Sequence, residues 1–200
     1  MTGTDIDLAA LRQLAKERLS KKRFRHVLAV EKMAVDLART HGADIWRCQA
    51  AALLHDLMKE SPLPELLHWC RGFAIIEHIR LPYQQKVVCT RALLHGPAAS
   101  AYAQKELGIA DREILDAVYY HTTGRPAMTG AEKVVFLADM VGLDRDFHGV
   151  DKLRKLCFAS LNRGMAAALR NNILYLAKEQ KPIYEDTVSA YNYYQLLGDD

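Results

Sequence analysis

The stretch Ala50–Met58 reads Ala-Ala-Ala-Leu-Leu-His-Asp-Leu-Met, an apolar run that carries an imidazole and a carboxylate side by side. An unpaired carboxylate in apolar surroundings is costly, so Asp56 calls for a compensating cation. The same conflict recurs along the chain. His26 shares a helical face with Val30, Met33 and Leu37; Leu93-Leu94-His95-Gly96 ends an apolar helix in a histidine; Val118-Tyr119-Tyr120-His121-Thr122-Thr123-Gly124 does likewise; and Asp139 lies within Val135-Phe136-Leu137-Ala138-Asp139-Met140-Val141. Imidazole and carboxylate together suit a first-row transition metal. Ligands projected from helices into a bundle core are a known way to build a dinuclear site. Lys59 stands at i+3 from Asp56 and i+4 from His55, so a helix would send its ammonium to the same side. Each residue alone has a plainer reading: His95 as a hydrogen-bonded core or cap histidine, Asp139 as the partner of an arginine. Their recurrence in one chain favours the metal. His41, His68, His78 and His148 lack an apolar setting and read as surface or loop residues.

Helices must position these groups. Leu8, Leu11, Ala15 and Leu19 recur at helical spacing, with Thr4 or Asp5 as the cap. A second helix is expected from about Arg23 to Thr40, ended by Gly42, and a third from Ile45 to Glu60, capped by Asp44 and closed by Pro62. Further helices are expected at Pro64–Arg71, Tyr83–Leu94, Ala98–Leu107, Asp111–Tyr120, Gly130–Val141, Val150–Glu179 (with Gly164 as the candidate interruption) and Tyr184–Leu197. The Cys70–Pro82 segment has no clear assignment. No alternating βαβ pattern is present, so a parallel sheet is excluded and an all-α class follows.

The chain has 200 residues, half of them hydrophobic, which suits one domain with a sizeable core. The formal charge of +3 is too small to imply nucleic acid. Lys21, Lys22, Arg23 and Arg25 form a basic cluster read as a solvated helix start, with help to an anionic ligand as the alternative. The four cysteines form no CxxC pair, which points to reduced thiols in the cytoplasm. No signal peptide or apolar run of transmembrane length is evident, so no membrane is expected. There is no Walker A loop and no serine or cysteine nucleophile with a readable base.

The order His26, His55-Asp56, His95, His121, Asp139 resembles the HD superfamily of metal-dependent phosphohydrolases. The surrounding residues narrow it. Arg25-His26, Leu54-His55-Asp56-x-x-Lys59, Leu94-His95-Gly96, His121-Thr122-Thr123-Gly124, and Ala138-Asp139 followed by Arg145 resemble the YqeK family of small bacterial hydrolases, over about residues 23–194. The resemblance implies an HD-domain helical bundle, one domain spanning 1–200, that cuts diadenosine tetraphosphate symmetrically into two ADP by means of a metal-bound hydroxide. It implies two divalent ions, iron first, with manganese or another transition metal as substitute. His26, His55, Asp56 and Asp139 would bind one ion and Asp56, His95 and His121 the other, with Asp56 bridging. Asp56 and Lys59 are the catalytic candidates; Lys59, His95, His121, Thr122 and Arg145 are the substrate-binding ones. The partners implied are the dinucleoside polyphosphate and the ADP product, with a homodimer as a candidate assembly. Two alternatives stand beside this reading. One is an HD phosphohydrolase acting on another nucleotide: a nucleoside monophosphate, a cyclic nucleotide or another dinucleoside polyphosphate. The other is a non-catalytic helical module that binds nucleotide.

Overall fold

The computed structural model describes residues 7–71 and 91–197. Among them ten helices and no strand occur: α1 Leu8–Arg18, α2 Lys21–His41, α3 Ile45–Leu54, α4 Leu63–Arg71, α5 Arg91–Lys105, α6 Arg112–Tyr120, α7 Gly130–Val141, α8 Val150–Ala159, α9 Leu161–Lys178 and α10 Glu185–Leu197. The all-α class holds. Residues 72–82, and the part of the expected Tyr83–Leu94 helix before Arg91, lie outside the described residues.

The short helix α3 organises the packing. Its Ala50, Ala51, Leu53 and Leu54 belong to one hydrophobic cluster, shared with α1, α4, α5 and α6. Its Cys48 and Ala52 belong to a second, shared with α2, α7, α8, α9 and α10. A helix buried on both sides has no polar face to present, which is why Ala50–Leu54 contains no polar residue. α2 packs along α3 and α7, while α6 packs on α3, α5 and α7. The His55-Asp56 pair therefore leaves the end of a partition between two cores, among helices that supply the other candidate ligands.

Caps set where the helices begin. Ser20 starts α2 by accepting a hydrogen bond from the Arg23 amide, and Asp44 starts α3 in the same way through Arg47. Thr129 and Glu132 form a reciprocal capping box at α7. The cap of α1 is Asp7, accepting from the Ala9 amide, in place of the expected Thr4 or Asp5. Gly42 ends α2 with a left-handed φ of 67°, as its position suggested.

Three boundaries and the role of the basic cluster differ from expectation, each for a local reason. The third helix ends at Leu54; the backbone then closes i→i+3 turns, Leu57 to Leu54, Lys59 to Asp56 and Ser61 to Met58. The basic cluster is more than a solvated helix start, because Arg23 turns inward to Asp56. α5 runs through Pro97, where a break was expected. An internal proline costs about 3 kcal/mol, whereas burying Leu93 and Leu94 contributes about 3–6 kcal/mol together, so packing prevails. The long helix expected over Val150–Glu179 is two helices meeting at Ser160, whose extended backbone ends α8 and whose hydroxyl accepts from the Arg163 amide to start α9. Gly164 interrupts nothing. It is a close-approach position, where an added Cβ would lie 3.1 Å from Cα and Sγ of Cys157 and from Cδ1 of Leu137. Gly164→Val is expected to lower stability by about 1–3 kcal/mol through overpacking, seen as a lower urea midpoint with an unchanged denaturant slope.

Candidate metal centre

Asp56 stands in the middle of the site, its side chain 2% exposed. Around Oδ2 lie His55 Nε2 at 3.6 Å, His26 Nε2 at 3.8 Å and Arg23 Nη1 at 2.8 Å. Around Oδ1 lie His95 Nε2 at 3.2 Å, Lys59 Nζ at 3.3 Å and His121 Nε2 at 3.8 Å. His26 comes from α2, His55 from the C-cap of α3, His95 from α5 and His121 from the C-cap of α6. Asp139, on α7, places Oδ1 3.0 Å from His26 Nε2. The segment after Asp56 is anchored to the start of α2: the Ser20 amide and hydroxyl both donate to the Glu60 carboxylate, at 2.7 and 2.8 Å. That clamp sets Arg23 and His26 in register with Asp56.

The protonation pattern shows what the site is prepared to hold. Nδ1–H of His55 donates to the Ala52 carbonyl at 2.7 Å, and that of His121 to the Val118 carbonyl at 2.7 Å. Nδ1–H of His95 donates to the Arg91 carbonyl at 3.3 Å, and that of His26 to Asp144 Oδ2 at 2.7 Å. Each Nδ1 proton is thus engaged; Nε2 of His55, His95 and His121 turns a lone pair inward, the arrangement of metal-ligating histidines, while Nε2 of His26 faces the Asp139 carboxylate. Nε2 of His95 and of His121 face each other at 2.9 Å, with Thr122 Oγ1 at 3.4 and 3.1 Å from them. Two lone pairs at that separation repel unless a cation or a proton comes between them. His26 Nε2, His55 Nε2 and Asp56 Oδ1 are buried without a hydrogen bond among the described residues, a costly condition for polar atoms. His26, His55 and Asp56 form one group able to hold a metal ion; Asp56, His95 and His121 form another. Asp56 is common to both. The donor set, imidazole nitrogens with a carboxylate, fits a divalent transition metal.

Charges within the site favour that role. Burial holds His55 and His121 below the ordinary imidazole value; for His121 the neighbouring His95 and His55 add to it. Both imidazoles are held neutral at physiological pH. Burial pushes the Asp56 carboxyl up, but His55, His95 and Lys59 outweigh it and leave the carboxyl well below its usual range. Asp139 is lowered too: burial opposes this, and the adjacent His26 imidazole, His55 and Arg145 overcome it. His26 is raised, since Asp139 and Asp144 together outweigh its burial.

Asp139 belongs to neither three-residue group. Arg145 pairs with its carboxylate and also donates to its backbone carbonyl at 2.7 Å, so the arginine alternative considered for Asp139 is realised alongside its contact with His26. Lys59 lies 3.0 Å from His95 Nε2. Two residues of the site escaped the sequence reading. Arg23 had a signal, since it precedes His26 by three residues on one helical face. Asp144, which fixes the His26 tautomer, sits in a loop with no distinguishing pattern. Gly96 also has a spatial role: a Cβ there would lie 2.9 Å from the Tyr119 carbonyl and 3.1 Å from the His121 ring. Of the histidines set aside, His68 and His148 are exposed, and His41 Nε2 meets the Cys157 carbonyl at 2.8 Å; His78 lies outside the described residues.

Residues 23–190 match the HD domain model, and the chain belongs to that family. It shares 38% identity with the "Bis(5'-nucleosyl)-tetraphosphatase, symmetrical" of Halalkalibacterium halodurans, over 92% of this chain and 94% of that protein. It shares 35% identity with the protein of the same name from Bacillus subtilis, over 89% and 92%. Within the HD domain family it therefore groups with the YqeK-type symmetrical tetraphosphatases. The crystal structure of a predicted HD superfamily hydrolase involved in NAD metabolism, from Clostridium acetobutylicum, superposes with a TM-score of 0.85 at 30% identity, covering 95% of this chain and 97% of that one.

The metal-free protein should lose stability on acidification. His55 and His121 have lowered folded values, so their contribution is present above the unfolded value of about 6.5 and is lost as pH falls below it. Asp56 and Asp139 extend the loss below about pH 4. His26 has the opposite sign, with stability present below about 6.5 and lost as pH rises through its raised folded value. Two lowered histidines against one raised predict a lower melting temperature at pH 5 than at pH 7.5 in chelator. Calorimetry showing equal or higher melting at pH 5 would contradict the neutral assignment.

Proposed function

We propose that this chain hydrolyses diadenosine tetraphosphate symmetrically to two ADP at a centre of two divalent ions, iron in the cell with manganese as a substitute. The observation that carries this reading is Asp56 shared by two adjacent three-residue groups, each able to hold a metal ion. The substrate is supported by the symmetrical tetraphosphatases that the chain matches almost end to end. His26, His55, Asp56 and Asp139 hold one ion, and Asp56, His95 and His121 the other. Ions bound there would activate a water and neutralise phosphate oxygens.

The chain's own groups do the rest. Asp56 sets the spacing of the two positions through its two oxygens. The carbonyls of Ala52, Val118 and Arg91 and the carboxylate of Asp144 hold the four imidazoles in one tautomer, so that no ligand turns during turnover. Lys59, a third exposed, reaches from the Asp56 turn to the face where phosphate would lie. Arg145 offers the leaving ADP a planar guanidinium beside Asp139, and the Thr122 hydroxyl lies next to His121 to meet a phosphate oxygen or sugar hydroxyl.

The enzyme works as one HD-type domain, with its core at about residues 23–194, in a reducing cytoplasm. Cys48, Cys70 and Cys157 are buried thiols, and burial pushes Cys48 and Cys157 up to about 12. No helix among the described residues is long and apolar enough to cross a membrane.

Chromatography of the products from purified enzyme with iron, oxygen excluded, tests the reading. Diadenosine tetraphosphate should give ADP alone; AMP plus ATP in equal amounts would overturn the symmetry, and turnover of another nucleotide in its place would overturn the substrate. Lys59→Ala should retain bound metal but lose rate or affinity by about tenfold or more, the worth of one charge-assisted hydrogen bond. Kinetics equal to those of the parent would assign Lys59 to helix-end electrostatics only.

A further inference from the structure

A second carboxylate is as deeply buried as that of Asp56. Glu132, in the first turn of α7, is 0% exposed. Its oxygens accept three hydrogen bonds. Two come from Arg125, from Nε at 2.7 Å and Nη2 at 2.8 Å, a bidentate pair; the third comes from the Thr129 amide at 2.7 Å. The Thr129 bond belongs to the helix cap, and a neutral glutamine serves a capping box as well as a glutamate does. The cap therefore does not account for a buried charge and its arginine. A buried carboxylate is costly, and neither metal-ligand group uses this one.

The arginine shows what the pair holds. Arg125 directly follows the turn His121–Gly124, which supplies His121 to the Asp56–His95–His121 group and Thr122 beside it. The guanidinium carbon lies 5.2 Å from the centre of the Tyr120 ring, so the side chain folds back onto the residue that precedes the turn. Within the turn, the Gly124 amide donates to the Tyr120 carbonyl at 2.8 Å, with Gly124 at a φ of 68°. Beyond Arg125 the backbone is strained. Ala127 has a φ of 53°, a left-handed setting that a Cβ disfavours. The Met128 amide anchors it by donating to the buried Tyr194 hydroxyl at 3.0 Å. Strained backbone persists only where its surroundings over-determine it. Tyr194 does this on the far side of Ala127, and Glu132 does it on the side of the metal ligand. Glu132 also stands seven residues before Asp139 on one face of α7. The pair thus ties the end of α6, which delivers His121, to the helix that carries Asp139.

We propose that Glu132 is a positioning residue: through Arg125 it holds the His121–Gly124 turn, and so sets His121 in the Asp56–His95–His121 metal group. The metal half rests on the two-ion reading above; the hold on the turn stands without it.

The test compares the full-length parent with Glu132→Gln, which keeps the cap and removes the charge, and Arg125→Lys, which keeps the charge and removes the fork. Glu31→Gln is the matched control: Arg12 donates to both Glu31 oxygens, at 3.1 and 3.0 Å, and that carboxylate is buried but holds no ligand turn. Metal-free protein is titrated with manganese by calorimetry, with His121→Ala marking the ion that the turn serves. Glu132→Gln and Arg125→Lys should weaken that one equivalent by about tenfold and leave the other at the parent's affinity. Glu31→Gln should lower the melting temperature and change neither. Parent-like binding of both ions, or equal weakening of both, would overturn the metal half. Hydrogen exchange on the metal-free protein reads the turn itself. The Gly124 amide should exchange about tenfold faster in Glu132→Gln than in the parent, and no faster in Glu31→Gln. Exchange at the parent's rate, or equally fast exchange in the two variants, would overturn the hold on the turn. If Glu132→Gln does not fold, Arg125→Lys carries both measurements with the same outcomes. If the parent takes up fewer than two manganese ions, the two-ion reading fails by itself, and hydrogen exchange still decides whether Glu132 holds the turn.

Discussion

The rest of the structure is arranged around one buried charge. The Asp56 carboxylate is nearly inaccessible, and four imidazoles, a guanidinium and an ammonium lie within 4 Å of it. A carboxylate can be buried only when paired and hydrogen-bonded. Three of those imidazoles, from α2, α5 and α6, are separated from Asp56 by at least 30 residues, so several helices must cooperate to satisfy one side chain. Each imidazole is itself held through Nδ1, which makes the surrounding backbone part of the site.

α3 shows how packing places the charge. Because its two faces serve two hydrophobic clusters, the helix is apolar throughout its second half, Ala50–Leu54, and its end delivers His55 and Asp56 to the junction of those clusters. After Leu54 the backbone closes i→i+3 turns, which carry Asp56 out of the helix. Asp56 can then share its two oxygens between two groups, while Glu60, four residues on, ties the turn to Ser20. α2 contributes from the other side, with Arg23 and His26 one turn apart on the face toward Asp56.

Much of this was legible in the residues themselves. His55-Asp56 stood out because a polar pair contradicts the apolar run around it, and His26, His95, His121 and Asp139 stood out by the same contradiction. Caps such as Asp44 and Gly42 follow from local chemistry and fall where local rules put them. What was hidden depends on tertiary partners. Arg23 sits among Lys21, Lys22 and Arg25, and only the fold separates the one that turns inward from those that face solvent. Asp144 matters through a contact 118 residues distant. Ser160 breaks a helix that Gly164 was suspected of breaking, since the glycine answers to the closeness of Cys157 rather than to backbone strain. Pro97 stays inside α5 because burial of its neighbours outweighs the local penalty.

The central claim is that one carboxylate serves two metal positions. Anomalous diffraction from crystals grown with manganese measures it directly. Two peaks per chain are predicted, one bounded by His26, His55 and Asp56 and the other by Asp56, His95 and His121, with an Asp56 oxygen on each. A single peak, or two peaks of which either lacks Asp56, would contradict the account.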